Sequence, residues 1–313
     1  MLGVREDCRW VATNATQVRI DPEALAALAE EILRGDIPAA PAWDTSIHWT
    51  CPDPDRVANY VLVLDALNFC FWGDPKWKIS YQGRVLDGYF AEAAALKRAI
   101  EDGFDLTDAR VMAGATLDDL RQVFRGEGEI PWLGKRVDHL REAGEVLLRS
   151  FGGQFSTYLR EASEPAVRTV QRLVECFPSF DDVATYRGRR IQLYKRAQIL
   201  IVDLMAALPD QPWTRFAGLE DLTAFADYKV PQVLREKGVL AYSEPLAGQV
   251  DALVEIPAGS EPEVELRAAT VVAVADLAAA VGLREVDLDG RIWHLGQTMA
   301  FRHPYHRTRT VFY

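Results

Sequence analysis

Residues Arg56 to Trp72 read RVANYVLVLDALNFCFW, and almost every side chain between the ends is apolar, the exceptions being Asn59, Asp65 and Asn68. A helix that is apolar all round has no face to give to water and belongs at the centre of a core. Pro54 and Asp55 suit a first turn, and Gly73, Asp74 and Pro75 stop the run, so a helix is predicted over 56–72. Such a length approaches a membrane span, but Asp65 near its middle argues for a globular core instead. Asp65 and Asn68 lie three residues apart on one face, and each needs a hydrogen-bond partner once buried. They either bond neighbouring loop backbone or line a pocket.

Outward from this helix, Asp21-Pro22 opens a helix with apolar positions Leu25, Leu28, Ala29 and Ile32, closed by Gly35. A Pro- and Ala-rich connector, IPAAPAW, leads back to the central run. Downstream, WKISYQGRVLDGY alternates around Gly83 and predicts a short β-hairpin near 77–86. Helical periodicity then predicts helices over 89–102, 116–125, 134–150, 165–176, 190–207, 231–238, 263–281 and 286–299. Thr116-Leu-Asp-Asp and Ser163-Glu-Pro read as helix starts, Gly126 and Gly282 as stops, and 126–132 as a turn between antiparallel helices. No strand–helix alternation exists to build a parallel sheet. The expected class is mainly α, in one compact unit or two intimately packed helical lobes.

Composition limits the function. The chain has 313 residues, 49% of them hydrophobic, and a formal charge of −11, so a long nucleic-acid partner finds no basic face. Cys8, Cys51, Cys70 and Cys176 show no CxxC spacing, which fits reduced thiols in a cytoplasmic protein. The sequence MLGVREDCRW has no apolar stretch of the signal-peptide kind. Nucleotide-binding glycine loops, HExxH and GxSxG are absent. Of five histidines only His303 and His306 are close, without a Cys or acidic cluster, so no metal is expected.

Three stretches are left to carry chemistry. In LTAFADYKVPQVL (222–234) Pro231 belongs to the first turn of a helix, which places Asp227 just before that helix. There the macrodipole favours an ionised carboxylate. Asp227 is then either an ordinary cap or an anion held beside a pocket, and Phe225 and Tyr228 are either core or a platform for a planar ring. In YKRAQIL, Lys195 and Arg196 are either a solvated helix face or ligands for a phosphate. The last stretch, RHPYHRTR (302–309), gathers cations in an acidic chain and ends in the apolar VFY. Before it, Asp289 and Trp293 share a helical face at i,i+4.

Together LVLDALNFCFW, YKRAQIL, FADYKVPQVL, the Asp289…Trp293 helix and PYHRTRTVFY resemble the queuosine salvage proteins, the queuosine 5′-phosphate N-glycosylase/hydrolases. The resemblance runs from residue 48 to 313. It implies a fold similar to the helix–hairpin–helix DNA glycosylases, and release of queuine from queuosine 5′-monophosphate by hydrolysis of the N-glycosidic bond without a metal or other cofactor. It further implies Asp227 as the catalytic carboxylate, Phe225 as a base contact, Asp289 in base recognition and His48 in the pocket wall. Tyr228 and Trp293 are the accompanying aromatic candidates, and Lys195, Arg196 and the Arg307/Arg309 tail are candidates for the 5′-phosphate. Gly290 and Arg291 depart from the aromatic residues common after this aspartate. The expected partner is the small nucleotide, with neither a stable nucleic-acid complex nor a membrane. The competing readings are a non-catalytic queuine or queuosine carrier and a DNA repair glycosylase.

Overall fold

The computed structural model describes residues 2–162 and 165–313. In chain order the elements are α1 (Val4–Asn14), β1 (Val18–Ile20), α2 (Pro22–Arg34), α3 (Pro54–Leu67), β2 (Lys78–Tyr81), β3 (Arg84–Asp87) and α4 (Gly88–Glu101). There follow α5 (Ala109–Gly114), α6 (Leu117–Val123), α7 (Leu133–Ser150), α8 (Phe155–Ala162), α9 (Ala166–Cys176), β4 (Val183–Tyr186), β5 (Arg189–Gln192) and α10 (Lys195–Ala207). The chain continues through α11 (Lys229–Glu236), β6 (Leu240–Tyr242), α12 (Glu244–Asp251), α13 (Glu261–Val281) and α14 (Glu285–Thr298). The class is mainly α, as the periodicity predicts. Among the described residues the six strands pair as three antiparallel ribbons, β1–β6, β2–β3 and β4–β5.

The apolar run at the centre is buried throughout, but its helix is shorter than expected. α3 starts at Pro54, with Asp53 capping the Asp55 N–H, and it ends at Leu67. Asn68 leaves helical geometry and Cys70 takes a positive φ of 47°, so 68–72 continue as a buried irregular segment. Its polar groups find partners elsewhere: the backbone Cys70 N donates to Tyr313 O at 2.9 Å and the Trp72 side-chain Nε1 to Thr308 O at 3.3 Å. The last residues of the chain are therefore docked onto this segment, as VFY suggests.

Buried apolar side chains form two large clusters. One surrounds α3 and includes α4, α7 and α10; the other joins α2, α11, α13 and α14. Segment 224–230 passes from one to the other, with Phe225 and Ala226 in the first, and Ala224 and Val230 in the second. Each fully buried Leu or Val contributes about 1.5–3 kcal/mol relative to exposure, which fixes both sides of that seam. α13 is buried along most of its length, and no single described helix is long and apolar enough to cross a membrane.

Several local expectations hold and several are corrected. Thr116 and Asp119 form a reciprocal capping box, Gly282 closes α13 at a positive φ, and the hairpin turns at Gln82-Gly83. The helix expected over 190–207 starts only at Lys195, because 189–192 pair with 183–186 around Arg187-Gly188. Gly126 lies beyond the end of α6. A Cβ there would strike the Lys78 carbonyl, because Glu127 bridges to Lys78 rather than forming a free turn. Helices α1, α5, α8 and α12 were not among the expected elements. The start signal at Ser163–Glu164 lies outside the described residues, and α9 begins at Ala166.

Candidate active site

The site is built where the two clusters meet. Asp227 precedes α11, and its Oδ1 accepts from Lys229 N at 2.9 Å and Val230 N at 2.8 Å. Asp227 thus caps the helix, yet the cap uses one oxygen. No donor among the described residues bonds Oδ2. Both readings of the sequence are therefore compatible, since they concern different oxygens. Pro231 falls within the first turn of α11, as expected.

Asp289 repeats the arrangement from α14. Its Oδ1 accepts from Phe225 N at 3.0 Å, and Oδ2 has no bonded donor among the described residues. Both aspartates are almost wholly buried. Burial raises the Asp227 pKa above the usual carboxylate value; Lys195 and the Val230 and Lys229 N–H groups pull it back only in part. The helix N-terminus was expected to favour the charged form, and burial outweighs it. Asp289 is raised well above the ordinary value, first by burial and then by the charge of Asp227, against the Phe225 N–H and Lys195. Two carboxyls whose surroundings separate their proton affinities can take different roles.

Lys195, at the start of α10, lies between these carboxyls and the end of α3. Its Nζ donates to Asn68 O and Asn68 Oδ1, both at 3.4 Å, and Asn68 Nδ2 reaches Asp65 Oδ1 at 3.5 Å. Burial lowers its pKa, while Asp227 and then Asp65 support its charge. Of the two uses open to Asp65 and Asn68, Asn68 turns out to hold the lysine. Arg196 points elsewhere: Nη1 donates to Asp65 O at 3.1 Å and Ala66 O at 2.5 Å, and Nη2 donates to Ser179 O. It closes the last turn of α3 through both terminal nitrogens, while its buried Nε has no partner.

A buried clamp ties these pieces together. Arg267 of α13 pairs with Asp182 through two bonds of 2.9 and 2.6 Å, and its Nε donates to Ala226 O at 3.0 Å. Asp182 Oδ2 also accepts the Lys195 backbone N–H at 3.1 Å. One ion pair therefore sets both the residue before Asp227 and the first residue of α10.

The aromatic wall comes from α4, α14 and the connector before α3. Trp293 meets Tyr89 at 5.8 Å and Phe90 at 5.5 Å, both edge-on. His48 stacks on Trp43 at 3.9 Å and bonds Tyr89 Oη through Nε2 at 2.9 Å. Asp203 on α10, a neighbour of Lys195, has its pKa pushed up to about 7 by burial, against the opposing effects of Lys195 and Tyr89. Asp203, Tyr89, Trp293 and Tyr228 keep partial solvent contact. The ionisation of Asp203, Tyr89 and Tyr228 is nonetheless governed by burial. Tyr228 packs outside the carboxyl pair, against Tyr305 at 4.9 Å and Tyr313 at 6.4 Å. The fold therefore assembles Asp227, Asp289, Phe225, Lys195, His48 and Trp293, keeps Tyr228 at the edge and turns the terminal nitrogens of Arg196 to backbone carbonyls.

Tyr89 and Asp203 were not among the residues singled out from sequence. Asp203 had a readable signal, a lone charge within LIVDLMAAL on the helical face that also carries Lys195. Tyr89 had none, since nothing local to it shows that His48 will arrive. Of the cations in 302–309, Arg302 pairs with Glu236 and Arg309 with Glu255. The Arg307 guanidinium lies 5.6 Å over the Trp72 ring and bonds no acceptor among the described residues.

A helical protein with one aspartate oxygen held by backbone donors, its partner oxygen free, and an aromatic wall nearby is equipped to stabilise a cationic sugar during cleavage of a glycosidic bond. Known proteins make the class particular. Residues 47–313 match the family described as queuosine salvage protein, and the chain belongs to that family. A Sphaerobacter thermophilus relative named queuosine 5′-phosphate N-glycosylase/hydrolase is 48% identical over 318 residues, covering 100% of this chain and 98% of its own. Relatives of the same name from Mus musculus (33% identical, 100% of this chain and 99% of theirs) and Dictyostelium discoideum (34%, 99% and 98%) match along the same extent.

Proposed function

We propose that the protein hydrolyses the N-glycosidic bond of queuosine 5′-monophosphate, releasing queuine and ribose 5-phosphate, with Asp227 as the carboxylate that faces the anomeric carbon. The observation that carries this reading is the division of labour in Asp227, with Oδ1 fixed by two N–H groups and Oδ2 free. As the C1′–N9 bond lengthens, its electrons move to the base and positive charge spreads over the sugar. A fixed carboxylate stabilises that state more than the neutral ground state, and this difference is what accelerates a reaction. Water supplies the oxygen that bonds C1′, and its proton balances N9 of the departing base.

A 7-deazaguanine has no N7 to protonate, so help for the leaving group comes from hydrogen bonds elsewhere on the ring. Asp289 suits the N1–H and 2-amino edge, because its free Oδ2 accepts once ionised and that donor edge favours ionisation. Phe225 and Trp293 offer apolar surface to the ring. For the 5′-phosphate, Lys195 and Arg307 are candidate cations, each with hydrogens left uncommitted. We extend the proposal to a small-molecule partner without duplex nucleic acid or membrane, supported by the charge of −11, and to a cytoplasmic setting, supported by four free cysteines.

The test is incubation with queuosine 5′-monophosphate and, separately, queuosine, with free queuine followed by liquid chromatography and mass detection. Release from the monophosphate is expected. Replacement of Arg307 by Gln should weaken the monophosphate more than the nucleoside. Tight binding without release would replace the hydrolase by a carrier.

A further inference from the structure

We propose that Tyr313 is a positioning residue for the cleavage assigned above: its ring holds the Arg267 guanidinium in the orientation that keeps Asp227 in place. The inference rests on that reading of Asp227, and Tyr313 acts through Arg267.

Tyr313 is almost wholly buried, and the Arg267 guanidinium lies over its ring, with Cζ 4.5 Å from the centroid. The edges of the guanidinium are already in use. Nε donates to Ala226 O at 3.0 Å, Nη1 and Nη2 pair with Asp182 at 2.9 and 2.6 Å, and Glu263 Oε1 lies 3.6 Å from Nη1. Another acceptor at this point would compete for the same hydrogens, and a third carboxylate would overbalance the charge. An aromatic ring does neither, since it attracts the cation through its negative face. It therefore fixes the guanidinium while the edges stay with Ala226 and Asp182.

The ring is itself anchored. Tyr313 Oη lies 3.2 Å from His306 Nε2. His306 is buried and neutral, its pKa pushed down to about 3 by burial first and then by Arg267, so it adds no charge to repel the arginine. Tyr313 O accepts from Cys70 N at 2.9 Å. Two residues before Cys70, Asn68 holds Lys195 Nζ through O and Oδ1, both at 3.4 Å. Tyr228, the residue after Asp227, meets the Tyr313 ring at 6.4 Å. One residue thus joins the clamp on Ala226 to the segment that holds Lys195.

With the attraction of the ring weakened, the guanidinium tilts toward Glu263 and its bond to Ala226 O loosens. Asp227 follows, because it is the next residue along the backbone. A misplacement of about 1 Å caused far from the chemistry can cost about a hundredfold in rate, and a grip loosened at one remove should cost about tenfold.

The test replaces Tyr313 by Phe and then by mono-, di- and trifluorinated phenylalanines introduced by amber suppression. The series keeps the shape of the ring, so each member folds, while each fluorine drains the negative face that attracts Arg267. The missing hydroxyl is common to all members and cancels. Tyr313→Phe should keep kcat for queuosine 5′-monophosphate within about threefold of wild type, and fluorination should then lower kcat stepwise by about tenfold in all, with KM within about twofold. In parallel, hydrogen–deuterium exchange of the Lys229 and Val230 amides, which bond Asp227 Oδ1, should quicken along the series. A kcat that is flat across the fluorinated series, or a loss that appears in KM instead, would overturn the proposal. A wild-type protein that releases no queuine would overturn the cleavage reading instead. Exchange that still quickens with fluorination would then support the grip of Tyr313 on the Asp227 segment, and unchanged exchange would overturn that as well.

Discussion

Asp227 is both a helix cap and the candidate catalytic anion, and replacements of different shape separate the two. Asp227→Asn keeps an Oδ1 that can accept from Lys229 N and Val230 N, and it removes only the charge. Asp227→Ala removes both. Loss of a capping side chain costs about 1 kcal/mol, with a range of roughly 0.5–2. In a chain of this size that lowers Tm by about 2 °C or a little more. The loss of a group that stabilises developing charge costs roughly 10²–10³ in kcat, about 2.7–4 kcal/mol of barrier. Both variants should therefore lose base release by at least about a hundredfold, measured as queuine formed from queuosine 5′-monophosphate under saturating substrate. Only the alanine variant should melt measurably lower, and the asparagine variant should melt with the wild type or above it, because burial of the charge is no longer opposed. An asparagine variant that turns over within a few fold of wild type would refute the catalytic assignment. One that melts as low as the alanine variant would refute the division between the two oxygens.

Other consequences can be tested in the same protein. Glu92 is fully buried with both carboxyl oxygens unpartnered, and burial lifts its pKa from 4.5 to about 8. A raised folded-state pKa means that the folded form holds the proton more tightly, so stability falls as pH rises from about 4.5 to about 8. Between pH 5 and pH 8 that amounts to roughly 3 kcal/mol, which Glu92→Gln should abolish in urea unfolding at the two pH values. Gly144→Ala should destabilise the protein by about 1–3 kcal/mol or more in the same assay, since a Cβ would lie 2.6 Å from Ala109 O and against the Ala113 N–H, backbone that cannot yield.

How much could be read in advance depended on whether the cause lay close in sequence. The core status of 56–72 was legible because fifteen consecutive positions with almost no polar side chain leave no alternative. The end of α3 was not, because Asn68 and Cys70 leave the helix to meet Lys195, Thr308 and Tyr313, partners far along the chain. The hairpin at Gln82-Gly83 and the one at Arg187-Gly188 have the same local grammar. The second was missed because helical periodicity from α10 extends back over its strand. The β1–β6 ribbon had no local signal at all, being a pairing of residues more than two hundred positions apart. Asp227 was found through Pro231 and the neighbouring motif. Asp203 and Tyr89 come near the site only because α10 and α4 both pack around α3.

The clamp between Arg267 and Asp182 explains how a site made of pieces from so many elements keeps its geometry. Burying two carboxyls beside one lysine opposes folding, and the elevated Asp227 and Asp289 pKa values register that opposition. Their positions must therefore be held by groups outside the pocket. Arg267 does this through backbone: it grips Ala226 O one residue before Asp227, while its partner Asp182 grips Lys195 N. Neither side chain of the clamp needs to touch substrate for the distance between carboxylate and ammonium to depend on it. Gly296 acts on the other carboxyl in a similar way, since a Cβ there would come within 2.9 Å of Val233 and push α14 from α11. The helix that carries Asp289 and the helix that Asp227 caps can lie this close only where one of them has no side chain, so the spacing of the two carboxyls is set by packing one turn beyond Trp293, on the far side of the chemistry.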